Sequence, residues 1–193
     1  MKRMKVLLVG LALVGAVNTF AQESPSKRGL SISVGPEAVL PLGTFKSQSG
    51  YKFGLGGSAK LNIPVATYVD LSVSAGYIGF SGSKLNTVSD KNTFTTIPFK
   101  GGLRFRTKDG FYVEPQAGFT QTKYTNSEGA GVFTYAGNIG YLINRVVDIA
   151  VRYEALAAPK NNVILGYSTE SYKMIGLRIA YNIPFARVDR EKK

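Results

Sequence analysis

Ionisable side chains recur at every second position in several segments of this sequence, and they are its first indication of chemistry. Arg104, Glu114, Arg152, Glu154 and Arg178 all occupy such positions. Glu114 and Glu154 could formally serve as the acid and base of a paired-carboxylate hydrolase. Because structural ion-pair networks routinely produce carboxylate pairs of this kind, we favour a structural network over an active site.

Other catalytic constellations lack the residues they need. The sequence contains no histidine and no cysteine, so serine–histidine and cysteine–histidine nucleophiles and the usual zinc sites have no base or ligand. The glycine-rich run Gly54-Leu-Gly-Gly57 is not followed by the helix that a phosphate-binding loop requires. We therefore predict a protein that is not an enzyme and that carries no cofactor and no metal.

The N-terminus has the pattern of an export signal. Met1-Lys-Arg-Met-Lys5 is basic, residues 6–17 are apolar, and Thr19-Phe-Ala21 ends in a small residue. A membrane anchor would need about 18 or more apolar residues, so the pattern favours a cleaved secretory signal peptide. We predict a signal peptide over residues 1–21, a short periplasmic segment over residues 22–29 and a charged tail over residues 186–193.

The rest of the chain alternates apolar and polar residues with a period of two, which marks strands with two different faces. The last segment is the clearest, with Leu177 and Ile179 on one face and Arg178 on the other. A tilted strand of about 9–11 residues can cross a bilayer. The eight predicted strands are 32–40, 53–63, 69–77, 97–105, 111–119, 133–143, 147–155 and 175–185.

The connections between these strands alternate between short and long. Short links lie near residues 64–67, 107–110 and 144–146, and long polar links near residues 42–50, 81–92, 125–131 and 156–171. Short periplasmic turns with longer extracellular loops are typical of outer-membrane barrels. We predict an all-β protein with one domain, an eight-stranded antiparallel up-and-down transmembrane β-barrel over residues 30–185, in the outer membrane of a Gram-negative bacterium.

Aromatic residues are expected where such strands meet the two membrane–water interfaces. The predicted outer girdle comprises Tyr77, Phe80, Phe94, Phe119, Tyr124, Phe133, Tyr135, Tyr153 and Tyr172, and the inner girdle comprises Tyr68, Phe105, Phe111, Tyr141, Tyr181 and Phe185. Three prolines fall inside predicted strands, where each removes a ladder donor. Bulges at Pro36, Pro98 and Pro115, or different strand limits, are therefore expected.

The polar faces of the strands predict the content of the barrel. An eight-stranded barrel has a lumen that side chains can fill, and charges confined there must be paired. We predict a salt-bridged plug rather than an open pore, formed by Glu37, Asp70, Lys100, Arg104, Glu114, Arg152, Glu154 and Arg178. Lys60 and Asp148 share this face but lie near strand ends, where solvated positions at the rim are expected.

The export pattern, the alternating segments and the closing Gly176-Leu-Arg-Ile-Ala-Tyr-Asn-Ile-Pro-Phe185 resemble the outer-membrane β-barrel domain family common in Bacteroidota. That family is similar to the small OmpA and OmpX type barrels and is porin-family-like. The resemblance implies an aromatic-ended signal, here Tyr181, Ile183 and Phe185, that the barrel assembly machinery reads. In this sequence, residues 186–193 follow the phenylalanine at which many members of the family end.

The net charge of +12 and the pI of about 9.9 raise the question of nucleic acid. The positive charges are spread over lumen, loops and tail, so we expect no nucleic-acid partner. We predict a monomer in outer-membrane lipid with a structural or surface-interaction role. The alternative is a narrow channel or transporter for a small solute, including a hydrophobic one, ahead of a soluble lipid-binding barrel. Predicted lipopolysaccharide contacts are Lys46, Lys84, Lys91, Lys123, Lys160 and Lys173.

Overall fold

The computed structural model describes residues 29–82, 94–124, 129–157 and 171–185 of the 193-residue chain. Eight antiparallel strands form a closed barrel in which each strand pairs with its neighbours in sequence and β1 pairs with β8. The strands are β1 Ser31–Leu42, β2 Tyr51–Ala66, β3 Val69–Gly82, β4 Phe94–Arg106, β5 Phe111–Tyr124, β6 Ala130–Ile143, β7 Val147–Leu156 and β8 Tyr172–Pro184, and one short helix, α1, spans Gly43–Ser49 between β1 and β2. The fold class predicted from the alternation is confirmed.

The described part of the chain contains no helix that is both long enough and apolar enough to cross a membrane.

Tight turns connect the strands at the end of the barrel that also holds Ser31 and Pro184. Asn144 and Arg145 both have positive φ, and Val146 N donates to Ile143 O at 2.9 Å, as expected for a two-residue hairpin loop. Gly110, with φ of 100°, supplies the positive φ of the β4–β5 turn. Short turns mark the periplasmic end of an outer-membrane barrel, so the opposite end, which holds Leu42 and Lys173, is the extracellular end.

The expectation that bulges absorb Pro36, Pro98 and Pro115 is wrong. Each proline lies within its predicted strand, and the register of each strand pair is the same before and after it. Pairing on one side of the strand is instead interrupted, between Val34 and Glu37 on the β8 side of β1, for example. A proline that lacks an N–H leaves one ladder position unbonded, and the strand continues through it.

Most predicted faces agree with the structure, but three aromatic residues of the predicted outer girdle are wrong. Tyr77 and Phe119 do lie on the outer surface, whereas Phe80, Phe94 and Tyr172 are buried inside the barrel. Their even numbers place them on the same strand faces as Asp70, Arg104 and Arg178, because side chains alternate with a strict period of two. The predicted strands 69–77, 97–105 and 175–185 do not extend as far as these residues, so the alternation was not applied to them. The predicted signal peptide, most of the segment 22–29, Tyr124's side chain and the tail 186–193 lie outside what the structure describes.

Candidate functional site

The lumen of the barrel is filled by charged side chains from seven of the eight strands. Every predicted member of the network, Glu37, Asp70, Lys100, Arg104, Glu114, Arg152, Glu154 and Arg178, is buried on the inner face. The alternation that placed apolar residues outside also placed these residues inside. The ion pairs divide into two clusters joined by Arg178, with a separate pair nearer the periplasmic end.

The first cluster surrounds Glu114 and Asp148. Lys60 Nζ lies 2.8 Å and Arg104 Nε 3.3 Å from Glu114 Oε2. Asp148 accepts hydrogen bonds from Arg104 Nη2 at 3.1 Å and from the Tyr112 hydroxyl at 2.6 Å. Both carboxylates thus have a cation and a second donor, as buried charges require. Arg104 and Glu114, both predicted members of the plug, form an ion pair.

The second cluster surrounds Glu37 and Glu154. Arg152 lies between them, with Nη2 2.8 Å from Glu37 Oε2 and Nε 2.8 Å from Glu154 Oε2. Lys100 also pairs with Glu154, and Ser58 Oγ donates to Glu37 Oε1 at 2.6 Å. The two glutamates are therefore held by cations on several sides.

Arg178 joins the two clusters because its guanidinium reaches both. Nη1 donates to Asp148 Oδ2 at 3.3 Å, while Nε donates to Ser58 Oγ at 2.8 Å and lies 3.5 Å from Glu37 Oε1. Nη2 donates to the Ser33 carbonyl at 3.0 Å. This fork geometry allows an arginine to serve several acceptors at once.

The expectation that Lys60 and Asp148 are solvated at the rim is wrong. Lys60 is 3% exposed and Asp148 is fully buried. Asp148 is only the second residue of β7, but Tyr112, Arg104 and Arg178 close over it. The prediction assumed that residues near a strand end are exposed to solvent. Their burial is instead determined by the large side chains that cover them.

A further pair lies outside both clusters. Asp70 faces Arg104 across the β3–β4 ladder, yet its ion pair is with Arg106, whose Nη2 lies 2.7 Å from Asp70 Oδ1. Arg104 instead pairs with Glu114, which lies opposite it in the β4–β5 register, and reaches across the lumen to Asp148. Ladder partners therefore do not by themselves predict the ion pairs of this barrel.

The charged clusters leave almost no space. A cavity of about 10 Å³ lies between them, lined by Glu37, Lys60, Lys100, Arg152 and Arg178 among others. A single water needs about 10–15 Å³, so this space holds one water at most. In the described ranges, no group of three or more histidine, cysteine, aspartate or glutamate side chains could hold a metal ion.

An apolar cluster closes the extracellular end of the lumen, and sequence reasoning missed it. We call this cluster the extracellular cap; it comprises Val39, Phe45, Tyr51, Ile78, Phe80, Phe94, Val132, Leu156, Tyr172 and Met174. Phe45 is fully buried although it belongs to α1, which lies in a segment predicted to be a polar loop. The even numbers of Phe80, Phe94 and Tyr172, which place them on the inner faces of their strands, could have predicted part of the cap. No feature of the sequence predicts the position of α1.

The remaining predicted sites lie on the outer surface. Tyr181, Ile183 and Phe185 face outward near the periplasmic end of β8. Lys46 is exposed on α1, and Lys123 and Lys173 are exposed near the extracellular ends of β5 and β8. Lys84, Lys91 and Lys160 lie outside the described residues.

A closed eight-stranded barrel with an apolar outer face and a charged, filled interior has the architecture of a small transmembrane β-barrel. The chain belongs to the outer membrane protein beta-barrel domain family, which matches residues 7–181. The protein is accordingly an outer-membrane protein. The particular likeness to members from Bacteroidota stays a prediction.

Solved structures share this fold. The crystal structure of Ail, the attachment invasion locus protein of Yersinia pestis, gives a TM-score of 0.54 at 16% identity and covers 81% of this chain and 99% of that chain. The backbone structure of Ail in a phospholipid bilayer nanodisc gives 0.53 at 13% identity, with coverage of 81% and 99%. Likeness at these identities shows the fold alone. Comparison with curated proteins gives no sequence match.

Proposed function

We propose that this protein is a plugged, non-enzymatic outer-membrane barrel with a structural or surface-interaction role, exercised through its extracellular connections. The observation that carries the proposal is the filled lumen, where an apolar cap lies above two ion-pair clusters with only about 10 Å³ between them. Rigid scaffolds that present loops usually carry binding in those loops.

The charges support the plug over the alternative of a narrow channel. A path for a hydrated solute would have to separate pairs such as Lys60–Glu114 and Arg152–Glu37, whose side chains are at most 8% exposed. Removing one partner of such a pair costs about 3–5 kcal/mol because the other charge stays buried. Several pairs would have to open together, which disfavours a continuously open pore.

The same pairing supports the absence of catalysis at the two glutamates. Glu114 is held by Lys60, Arg104 and Gln116, and Glu154 by Lys100 and Arg152. Neither carboxylate faces a cavity that could admit a substrate. A general acid or base must reach its substrate within hydrogen-bond distance.

Conductance in a planar bilayer tests the plug. We expect the folded protein, verified by heat-modifiable migration on a gel, to insert without producing steady ion conductance. A larger porin inserted under the same conditions serves as the positive control. Steady conductance steps from the wild-type protein would overturn the plug and favour the channel.

Contact with lipopolysaccharide is a further part of the proposal. Lys123 and Lys173 project from the barrel wall near its extracellular end, at a height suited to phosphates of the outer leaflet, which a cation attracts. Lys123→Gln combined with Lys173→Gln should weaken binding to lipopolysaccharide-containing vesicles. Lys108→Gln, in the periplasmic β4–β5 turn, is the matched control and should not. Equal binding by all variants would refute the contact.

The outward face of β8 is proposed to guide assembly. Tyr181, Ile183 and Phe185 form an apolar row at its periplasmic end, similar to the aromatic-ended signal of barrel clients. Phe185→Ala should slow insertion by the purified assembly machinery, while Leu30→Ala, which removes another exposed apolar side chain at the opposite end of the barrel sequence, should not. Unchanged insertion rates for Phe185→Ala would exclude that role.

A further inference from the structure

One residue of the extracellular cap, Phe45, comes from a different kind of element than the others. The walls come from strands of the barrel, whereas Phe45 enters from α1, which lies outside the sheet. We propose that the cap is a blind binding site for a small, uncharged, aromatic molecule, and that Phe45 occupies this site whenever α1 is docked. This inference does not depend on the loop partner or on the lipopolysaccharide contact proposed above.

The rings around Phe45 form a cage. Their centroids lie 5.0 Å from that of Phe45 for Tyr172, 5.6 Å for Phe80, 5.8 Å for Phe94 and 6.3 Å for Tyr51. The contacts with Phe80 and Phe94 are edge-to-face, the geometry that aromatic pairs favour. The shape of the site is therefore that of a benzyl group.

The cage is held mainly by the sheet, although the backbone N of Tyr51 also donates to Ser49 Oγ of α1 at 3.3 Å. Tyr51, Phe80, Phe94 and Tyr172 belong to four different strands, β2, β3, β4 and β8, and the closed sheet holds these strands. Tyr51 and Phe94 also stack on each other, with centroids 5.8 Å apart. Departure of Phe45 would leave a pre-formed apolar pocket, which is what ligand sites usually are.

The attachment of α1 is slight. Among the α1 residues whose side chains the structure describes, Phe45 is the only one that is fully buried. The helix has seven residues and no side-chain N-cap bond, and helices of this length are marginal by themselves. Burial of the Phe45 ring is the main apolar gain that offsets the ordering of the segment. An undocked minor population is expected on these grounds.

Glycines at both ends give α1 a means of moving. Gly43 has φ of 53° and Gly50 has φ of 68°, a region that other residues enter at a cost. Neither would meet an atom within 4 Å if it carried a Cβ, so packing does not explain the glycines. Their backbone freedom suits a segment that swings on two hinges.

The floor of the site is closed. Thr96, Thr120 and Thr134 lie below the cap and are buried, with Thr134 Oγ1 donating to Thr120 Oγ1 at 2.7 Å. The ion-pair clusters follow beneath them. The side chains that form the cap are apolar, so a charged ligand bound among them would lose its hydration without compensation. A molecule entering from outside would bind and leave by the same way.

A tryptophan reporter tests whether a ligand displaces residue 45. The sequence contains no tryptophan, so Phe45→Trp introduces a single fluorophore. Toluene, the probe, should give a saturable red shift and greater acrylamide quenching. Phe53→Trp, which is 45% exposed on the outer face of β2, controls for toluene dissolved in the surrounding lipid. No saturable change at position 45, or equal changes at both positions, would overturn the proposal.

Two further measurements address the case in which tryptophan fits poorly. In the wild-type chain, toluene should accelerate trypsin cleavage after Lys46 on α1 and leave cleavage after Lys108 unchanged. Gly50→Ala should shift the equilibrium between docked and undocked α1 toward the undocked state by roughly 5-fold or more. Phe45 then competes less with toluene, so the apparent affinity for toluene should rise by up to the same factor. Unaltered cleavage after Lys46, or equal affinity in Gly50→Ala, would contradict competition. Neither readout depends on conductance.

Discussion

The guanidinium carbon of Arg104 lies 4.0 Å from the centre of the Tyr112 ring, and the two side chains donate to the same carboxylate, that of Asp148. Arg104 Nη2 donates to Oδ2 of Asp148, and the Tyr112 hydroxyl donates to Oδ1. A cation over an aromatic face is attracted to it, so the ring fixes the guanidinium from one side. Arg104 Nε then reaches Glu114 at 3.3 Å, and Tyr112 positions Arg104 between two carboxylates.

The Tyr112 hydroxyl is expected to contribute measurably to stability. Tyr112→Phe keeps the ring over Arg104 but removes the donor to Asp148, and hydrogen bonds to charged groups contribute about 1.5–3 kcal/mol. The free energy of unfolding in lipid vesicles should fall by that amount in a urea titration. Tyr141→Phe, on the outer face of the barrel, is the control and should change it by less than about 0.5 kcal/mol. Equal losses of unfolding free energy in both variants would show that the hydrogen bond to Asp148 does not stabilise the barrel.

Glu114 should be the most sensitive carboxylate of the first cluster. Glu114→Ala leaves Lys60 and Arg104 without one acceptor, and breaking a buried pair costs about 3–5 kcal/mol. A double-mutant cycle of Glu114 with Arg104 isolates their coupling. A second cycle, of Glu114 with Arg106, is the control, since Arg106 pairs with Asp70. We expect a clear coupling free energy in the first cycle only. A coupling free energy near zero in the first cycle would show that the Glu114–Arg104 pair does not stabilise the plug.

The strands and their faces could be predicted because one rule governs both. Leu177 and Arg178 alternate across a wall with lipid on one side and lumen on the other, so polarity reports the face directly. The same rule would have placed Phe80 and Phe94 inside, had the strands been extended to their true ends at Gly82 and Phe94. An apolar residue facing inward breaks the polarity rule, and only its parity identifies it.

The cap and the ion pairs could not be predicted in full, for a different reason. Docking of α1 depends on Phe45 meeting Tyr51 and three rings that lie far along the chain, Phe80, Phe94 and Tyr172. Nothing local in the sequence encodes the meeting with those three. Asp70 pairs with Arg106 rather than with its ladder partner Arg104, because Arg104 is directed across the lumen to Asp148. Such contacts follow from barrel diameter and register, which alternation does not fix.

The positions of lipid-facing residues relative to the bilayer midplane can be compared along one strand, β8. Leu177 faces outward near the middle of β8, and Tyr181 faces outward four residues closer to its periplasmic end. An arginine on the lipid face costs about 2–4 kcal/mol at the bilayer midplane and about 0–1 kcal/mol near an interface. Leu177→Arg should therefore lower the free energy of unfolding in vesicles much more than Tyr181→Arg. The opposite ranking would place the membrane at another height on the barrel.

A last prediction concerns Gly140, which lies directly beneath the Tyr112 ring. A Cβ at this position would lie 2.3 Å from Cζ and 2.4 Å from the hydroxyl oxygen of Tyr112. The ring cannot yield freely, because Asp148 and Arg104 hold it. Gly140→Ala should therefore destabilise the barrel by about 1–3 kcal/mol, as overpacking does.

Gly137 provides the matched control, since it lies in the same strand and a Cβ there would meet nothing within 4 Å. Gly137→Ala should change the free energy of unfolding by less than about 0.5 kcal/mol. If Gly140→Ala acts by displacing Tyr112 from Asp148, Tyr112→Phe should cost less in the Gly140→Ala background than in the wild-type chain, because residues in contact are not additive. Strict additivity would mean that the alanine strains the sheet without moving the tyrosine.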